Sequence, residues 1–368
     1  MPECRRAGSH AASGRRAGIL WLAIGLLLLG IGLVWIFFPR DPYAMPAADW
    51  RLFKSRFLSA EGRIVDTGNG GITHTEGQGY GMLLAVAYSD RKAFDRIWGW
   101  TNTHLRRKDG LFSWLWTPAD GGKISDQNNA SDGDFLLAWA LLRASRKWDH
   151  YDYQKSAAQI VVALLDKTLV DTHLGLQMIP GLDGFITEQG VTLNPSYYIF
   201  PALPEMKKSF PSEKWEELAK GGVALVKTAR FGKWRLSPDW ALVTTDAVKI
   251  GRADTDPFFG YNAIRVPLHM AWADPKSPLL KPFADFWGGL PAGRPIPATV
   301  DLRNNQFGEY AALPGMMAVA TLTTKCEKNE PLTVRDIPPL DKEEPYYSAS
   351  LKLLTKLAIH EKLRPEKD

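Results

Sequence analysis

Residues 131–148 read SDGDFLLAWALLRASRKW, and their apolar side chains fall on two sides of a helix. At helical spacing, one stripe consists of Phe135, Ala138, Trp139 and Leu142, and the other of Leu137, Leu141, Ala144 and Trp148. A helix that is apolar on two sides is buried by neighbours on both. This stretch therefore predicts a helical protein built around buried helices.

The same periodicity recurs along the chain. After Gly79, apolar residues follow the i, i+3, i+4, i+7 pattern, and strand-like alternation is sparse. Further helices are expected at about 49–59, 153–169, 211–229, 259–273, 277–287, 307–324 and 345–363. Two stretches, 288–306 and 327–344, have the composition of surface loops. We predict an all-α fold of helical hairpins closed into a ring, with a single domain over residues 48–368.

The composition excludes several classes of protein. Of the 368 residues, 45% are hydrophobic and 23% are charged, which is typical of a globular chain. Residues 1–40 carry five Arg and one Glu, hence +4 of the net +5, and the remaining +1 provides no basic groove for nucleic acid. Two cysteines are too few for a disulfide framework or a zinc site, so we expect no metal and no cofactor. The 14 Trp, 11 Tyr and 16 Phe suit a carbohydrate groove as well as a core.

The N-terminal segment predicts a membrane anchor. Residues 17–38 contain no charge, and about 20 apolar residues span the hydrocarbon core of a bilayer. Residues 1–16 then form a basic cytoplasmic tail, 39–47 a linker, and the rest a domain in the periplasm of a bacterial inner membrane. A cleaved signal, releasing a soluble periplasmic protein, is the alternative.

Residues 73–82 read THTEGQGYGM and place Glu76 at the start of a helix. A first-turn acid is commonly structural, because the positive end of the helix dipole stabilises it. Three glycines within five residues favour function instead, since glycine costs helix stability and permits a close approach of backbone or ligand. Both interpretations of Glu76 stay open at this point, and His74 is more simply read as structural.

Two further motifs carry charged groups. In residues 128–135, Ser131 or Asp132 is a natural N-cap for the helix that follows, and a calcium loop is excluded by its spacing. In residues 258–267, Arg265 lies among apolar and aromatic neighbours. It must pair with a carboxylate or bind substrate hydroxyls, and the sequence does not choose between these.

Five motifs together resemble the family 8 glycoside hydrolases, the cellulase D family. They are residues 76–82, 130–148, 194–197, 237–240 and 261–267, in this order, and the resemblance covers about 49–365. Leu137 departs mildly from the family pattern. The resemblance implies an (α/α)6 barrel and endo-acting hydrolysis of β-1,4-glucan (cellulose) with inversion. Within the family it is nearest to the endoglucanases of bacterial cellulose synthesis, which implies a cellulose synthase complex as a partner. Other members cleave xylan or chitosan.

The resemblance also implies roles for individual residues. Glu76 matches the general acid and Asp132 the acid that contacts the sugar under attack. The resemblance assigns substrate binding to Tyr80, Trp139, Tyr197, Tyr261, Asn262 and Arg265.

The catalytic base departs from the family pattern. Asn262 stands where many members have Asp, and an amide does not accept a proton at ordinary pH. Asp239, Asp246, Asp254 and Asp256 are the candidates, of which Asp256 is favoured because it is nearest the aromatic run. Asn262 also leaves open a catalytically impaired glucan-binding protein of a polysaccharide export system. A polysaccharide lyase would need a basic groove, which the charge of residues 41–368 does not favour.

Overall fold

The computed structural model describes residues 41–251, 256–291 and 293–365 of the chain. Residues from Met45 onward form one compact unit, and its first helix begins at Ala47, one residue inside the predicted linker. The predicted tail and anchor at 1–38 lie outside the described residues. Within the described ranges, no helix combines the length and the apolar character that a membrane crossing requires.

The described part of the chain is mostly helical. Its α-helices are α1 (Ala47–Phe57), α2 (Thr75–Ala87), α3 (Arg91–His104), α4 (Ser131–Trp148), α5 (Tyr151–Lys167), α6 (Leu203–Ser209), α7 (Lys214–Thr228), α8 (Arg265–Ala273), α9 (Lys281–Gly288), α10 (Pro314–Glu327) and α11 (Tyr346–Lys362). Every predicted helix is present, with its ends displaced by a few residues. The first residues of α8 and α10 are displaced further, because these helices begin six and seven residues later than predicted. The short helix α6 was not predicted.

Two helices at the centre of the fold are buried on nearly all sides. In α2 almost every residue from Thr75 to Val86 is buried, and in α4 the first twelve residues are buried. The two helices contact each other closely, because Gly79 of α2 packs against the Cβ of Leu136 in α4. The prediction that the two apolar stripes of α4 are buried by neighbours on both sides is thus confirmed.

The last helix closes the chain into a ring. Helix α11 contacts α2, α8 and α10, and it is buried along most of its length. Two buried ion pairs hold this helix in place. One joins Lys356 Nζ to Asp49 Oδ2 at 2.6 Å, and the other joins Lys352 Nζ to Glu344 Oε2 at 2.5 Å. Removing one partner of such a pair leaves an uncompensated buried charge, so these contacts fix α11 to α1 and to the segment before it.

Short strands occupy the connections between helices. They are β1 (Thr73–His74), β2 (Ser113–Thr117), β3 (Lys123–Asn129), β4 (Leu169–Thr172), β5 (Gly175–Met178), β6 (Ile186–Thr187), β7 (Gly190–Leu193), β8 (Ala241–Val243), β9 (Val248–Ile250), β10 (Phe258–Phe259) and β11 (Val300–Asp301). They pair in antiparallel sheets in the order β1-β2-β3, β6-β7-β8-β9, β4-β5 and β10-β11. The all-α prediction missed most of them because nine of the eleven strands in the described ranges have only two to four residues, too few to show alternation, and the longer β2 and β3 were missed as well. One of them, β11, lies in the predicted loop 288–306.

The three-stranded sheet positions two helix starts. Strand β1 ends at His74 directly before α2, and β3 ends at Asn129 two residues before α4 begins. Both strands pair with β2, with His74 opposite Leu115 and Asn129 opposite Ser113. The sheet therefore brings the N-termini of α2 and α4 side by side at one end of the ring.

The close contact between α2 and α4 can be tested with a methyl group. A Cβ at position 79 would lie 2.5 Å from Leu136 Cβ, so we expect Gly79→Ala to destabilise the fold by about 1–3 kcal/mol through overpacking. Gly99, in the exposed middle of α3, has no atom within 4 Å of such a Cβ and is the matched control. Gly99→Ala should stabilise by about 0.5–1 kcal/mol. Urea unfolding measures both, and effects of the same sign would contradict the packing described.

Candidate active site

A groove of about 920 Å³ lies at the end of the ring where α2, α4 and α8 begin. Its charged and titratable wall residues are Asp66, His74, Glu76, Asp126, Asp132, Asp183 and Arg265. Its aromatic wall residues are Trp114, Phe185, Tyr197, Trp240, Tyr261 and Tyr347. The groove thus combines carboxylates with flat apolar rings, the two groups that a site for sugar hydrolysis uses.

Arg265 is the polar centre of the groove. Its side chain is only 3% exposed, and one nitrogen, Nη1, contacts Glu76 Oε2, Asp132 Oδ2 at 3.2 Å and the Tyr80 hydroxyl at 3.4 Å. The other terminal nitrogen donates to Asn262 Oδ1 at 2.7 Å. Hydrogen bonds between ionised groups are stronger than neutral ones, so this guanidinium fixes the positions of both carboxylates. The two alternatives left open for Arg265 resolve in favour of carboxylate pairing.

Each of the three charged groups sits in the first turn of a helix. Glu76 belongs to α2, Asp132 to α4 and Arg265 to α8. The positive dipole ends of α2 and α4 stabilise the two carboxylates, whereas the N-terminus of α8 disfavours a cation. The two carboxylates compensate Arg265, and the three helix starts therefore depend on one another electrostatically.

Glu76 does not cap the helix in whose first turn it lies. His74 is the N-cap of α2, and its Nδ1 accepts a hydrogen bond from the Gly77 N–H at 3.0 Å. Gly77 must lack a side chain, since a Cβ there would lie 2.6 Å from the hydroxyl of Tyr346. With the cap supplied by His74, the Glu76 carboxylate is free to meet Arg265 in the groove.

The capping interpretation of the Asp132 motif is also wrong. Residue 130 occupies the N-cap position of α4, and no side chain caps this helix. Ser131 instead donates to the carbonyl of Ile179 at 2.6 Å, and Asp132 accepts from the N–H of its neighbour Gly133 at 2.8 Å. The Asp132 carboxylate thus faces Arg265 and the groove.

The pKa of Asp132 is raised in the groove. Burial raises the pKa of Asp132 to about 7, and the negative charge of Glu76 adds to this effect, while Arg265 opposes it. A hydrogen bond links the two carboxyl groups. Asp132 is therefore protonated over a wider pH range than an ordinary aspartate.

Asn262 lines the groove beside Arg265 but has no free acceptor. Its Oδ1 accepts from Arg265 and, at 3.1 Å, from Asn194 Nδ2. Asn194 Oδ1 in turn accepts from the N–H and hydroxyl of Ser196. With its oxygen occupied by two donors, the Asn262 amide has only its N–H groups to offer and does not take a proton.

The structure does not bring the predicted base to the groove. Asp256 is absent from the groove wall, because its carboxylate accepts from the N–H of Phe258 at the start of β10. Asp239 is buried away from the groove wall, and its Oδ1 accepts three backbone N–H groups, those of Gly260, Asn262 and Ala263. Asp246 lies exposed in the β8–β9 turn, bonded to Thr244. Asp254 lies outside the described residues.

Two of the predicted sugar-contacting aromatics are core residues. Trp139 is fully buried against the Arg143 guanidinium at 4.1 Å and the Trp272 ring at 5.3 Å. It lies two turns into α4, about 10 Å along the axis from the groove. Tyr80 is 1% exposed and reaches Arg265 from within the core. Both predictions as groove residues are wrong, whereas Tyr197, Tyr261, Asn262 and Arg265 do line the groove.

Several groove residues were not predicted as site residues. Trp114 donates from Nε1 to Asp126 Oδ2 at 2.7 Å, and Phe185 stacks on Trp240 with ring centroids 5.8 Å apart. Tyr347 packs against Tyr261 and donates to its carbonyl. Trp114, in the aromatic sequence SWLWT, is a visible signal for this wall. Phe185 and Tyr347 carry no such signal, because neither belongs to a motif.

The groove has an excess of negative charge. It contains five carboxylates, those of Asp66, Glu76, Asp126, Asp132 and Asp183, against one arginine. Like charges repel a polyanionic chain in such a groove, which does not favour the lyase alternative. In the described ranges, no group of three His, Cys, Asp or Glu side chains is arranged to hold a metal ion.

Comparison with known proteins agrees with this geometry. Residues 32–361 match the glycosyl hydrolases family 8. The chain is 40% identical over 284 residues to an endoglucanase of Cellulomonas uda, covering 77% of this chain and 79% of that protein. It is 38% identical over 325 residues to a probable endoglucanase of Novacetimonas hansenii, covering 86% and 93%.

Among solved structures, the chain is similar to a family 8 endo-β-1,4-glucanase from an Achatina fulica gut metagenomic library. The TM-score is 0.80 at 40% identity, covering 88% of this chain and 100% of that one. With nine tenths of its length matched to the family, the chain belongs to glycosyl hydrolase family 8 and has a helical fold of the (α/α)6 type.

Proposed function

We propose that this protein is an endo-acting glycoside hydrolase that cleaves β-1,4-glucan with inversion at the anomeric carbon. The observation that carries the proposal is the pair of carboxyl groups, Glu76 and Asp132, bridged by Arg265 in an open groove. Glycoside hydrolysis needs one carboxyl group that donates a proton to the leaving oxygen. The relatives named as endoglucanases support the same reaction.

Glu76 is the general acid in this proposal. It is the more exposed of the two carboxyls, with 16% of its side chain accessible against 3% for Asp132. The proton that the leaving oxygen needs is therefore delivered from Glu76. Asp132, held by Arg265 and Gly133, faces the sugar under attack.

The shape and charge of the groove support a polysaccharide substrate. Its volume lies at the upper end of the about 300–1,000 Å³ range of small-molecule sites, which suits an oligosaccharide segment of a chain. Trp114, Trp240 and Tyr347 provide rings on which apolar sugar faces stack. Cellulose, a neutral chain of glucose, is the proposed substrate. Chitosan is a second candidate, because its ammonium groups complement the five groove carboxylates. Xylan is the remaining family alternative.

An N-terminal anchor completes the proposal. The uncharged segment 17–38 would hold the enzyme in a bacterial inner membrane, with the catalytic domain in the periplasm. There the groove would meet glucan leaving a cellulose synthase complex, the proposed partner. Cleavage of the segment as a signal is the alternative.

The role of Glu76 is tested by Glu76→Gln, which keeps the size of the side chain and removes the acidic proton. General acid catalysis contributes about 10²–10⁴-fold, so we expect kcat on cello-oligosaccharides to fall at least 100-fold. A β-cellobiosyl fluoride should still be hydrolysed, because fluoride leaves without protonation. Glu188→Gln, an exposed acid in the β6–β7 turn, is the control.

Proton NMR of the first products reports the reaction class in the same assay. The proposal predicts that the α-anomer forms first from a β-linked chain. Retention of the β-anomer, wild-type activity of Glu76→Gln, or a wild-type protein that binds cellulose without cutting it would each contradict the proposed function. Parallel digests of chitosan and xylan rank the substrates.

The anchor is tested by carbonate extraction of membranes from cells that express the full chain. We expect the protein to remain in the membrane fraction with an intact mass that includes residues 1–40. A chain that begins at Asp41 is the control and should be extracted. Recovery of the full-chain product in soluble form, beginning near Ala48, would instead identify a cleaved signal.

A further inference from the structure

Inverting hydrolysis needs a group that takes a proton from the attacking water, and Asn262 does not provide it. The Oδ1 of Asn262 is occupied by Arg265 and Asn194, which leaves its amide N–H groups for the groove. An amide donor orients the water oxygen but does not accept its proton. The proton must therefore leave the water by another route.

Tyr197 is next to this position and is connected to a carboxylate. Its side chain lines the groove together with Asn262 and Asp132. Its hydroxyl lies within hydrogen-bonding reach of Asp132, and its ring lies 5.8 Å from the Arg265 guanidinium carbon. The 3₁₀ turn Pro195–Tyr197 holds the residue in place, since Asn194 caps the turn and is bonded to Asn262. Tyr197 thus lines the same groove as Asn262 and is hydrogen-bonded to Asp132.

We infer that Tyr197 and Asp132 together replace the missing base, with the Tyr197 hydroxyl passing the proton of the attacking water to the Asp132 carboxylate. This inference rests on the proposed hydrolysis and assigns a catalytic role to Tyr197 beyond sugar binding. A hydroxyl both accepts and donates a proton, so it serves as a relay without becoming charged. Burial and the charge of Asp132 raise the pKa of Tyr197 well above its usual value, which keeps this hydroxyl neutral.

The proton balance of the step closes within the site. The water oxygen bonds to the anomeric carbon while the bond from that carbon to the glycosidic oxygen breaks. Glu76 gives its proton to the departing oxygen. The water gives a proton to the Tyr197 oxygen, and the original hydroxyl proton of Tyr197 moves to Asp132.

The charge of the site is the same before and after the step. The two carboxyls hold one proton throughout, first on Glu76 and then on Asp132, opposite the single positive charge of Arg265. Their mutual hydrogen bond returns the proton to Glu76 for the next cycle. No new charge is created in a buried site, where an unpaired charge would be costly.

The test combines Tyr197→Phe with a second substitution that restores a direct base. We expect Tyr197→Phe to lower kcat on cello-oligosaccharides about 100-fold or more, with KM within about threefold of wild type. β-Cellobiosyl fluoride should not rescue it, because the defect lies in water activation. Adding Asn262→Asp should recover at least about tenfold of the lost kcat, since a carboxylate then contacts the water directly.

Two further variants complete the experiment. Asp132→Asn blocks the end of the relay and should also be partly rescued by Asn262→Asp. Tyr88→Phe, which removes a buried hydroxyl without a hydrogen-bond partner at the far end of α2, is the matched control and should leave kcat unchanged. Thermal unfolding and calorimetric binding of cellohexaose check that each variant folds and binds.

The outcomes separate the relay from the proposed hydrolysis. An active wild type with a Tyr197→Phe variant within about threefold of it would overturn the relay and leave the hydrolase intact. The relay would also be overturned if Asn262→Asp did not recover the kcat lost in Tyr197→Phe. It would equally be overturned if Asp256→Asn abolished turnover while Tyr197→Phe did not. A wild type without activity on any β-1,4-linked chain would overturn the proposed function itself.

Discussion

The contact of one buried guanidinium with two carboxylates determines the geometry of this protein. Arg265 is desolvated at the start of α8, where the helix dipole disfavours it, and Glu76 and Asp132 compensate both costs. Each carboxylate begins a different buried helix, so the ion pairs also tie α2, α4 and α8 together at the groove. Other elements support this arrangement. The sheet β1–β3 brings two of the helix starts together, and α11 closes the ring behind them.

The sequence predicted the helical layers well because buried helices repeat a strong signal over many residues. The two stripes of α4 are the clearest case, and they were read correctly. The short strands β1 and β10 left no such signal, since two residues show no period. Glycines pointed to Glu76, because Gly77 and Gly79 are costly in a helix unless a close approach requires them, whereas Asp132 was singled out only through the family resemblance. Here those approaches are to the Tyr346 hydroxyl and to Leu136.

Two of the misassigned residues share a physical reason. The sequence does not show whether a residue on a helix lies at the groove or in the core behind it. Trp139 and Tyr80 lie on the correct helices but in the core, whereas Trp114 reaches the groove from a strand that was not predicted. The partner of Arg265 could not be chosen either, because Glu76 is 189 residues away along the chain. Asp256 was placed by proximity in sequence, and the hydrogen bond from Phe258 turns it toward β10 instead. What the sequence did identify was the problem posed by Asn262, whose amide oxygen proves to be fully occupied.

The central claim is that burial beside Glu76 and Arg265 raises the pKa of Asp132 toward neutrality, and carboxyl carbon NMR measures this directly. In protein labelled with ¹³C at the aspartate side-chain carboxyls, the resonance of Asp132 is assigned as the one absent from Asp132→Asn. The account predicts that this resonance titrates with an apparent pKa near 7, as burial and the charge of Glu76 require. A resonance that has completed its titration below about pH 5 would show that Asp132 has the pKa of an ordinary aspartate, and would contradict the account.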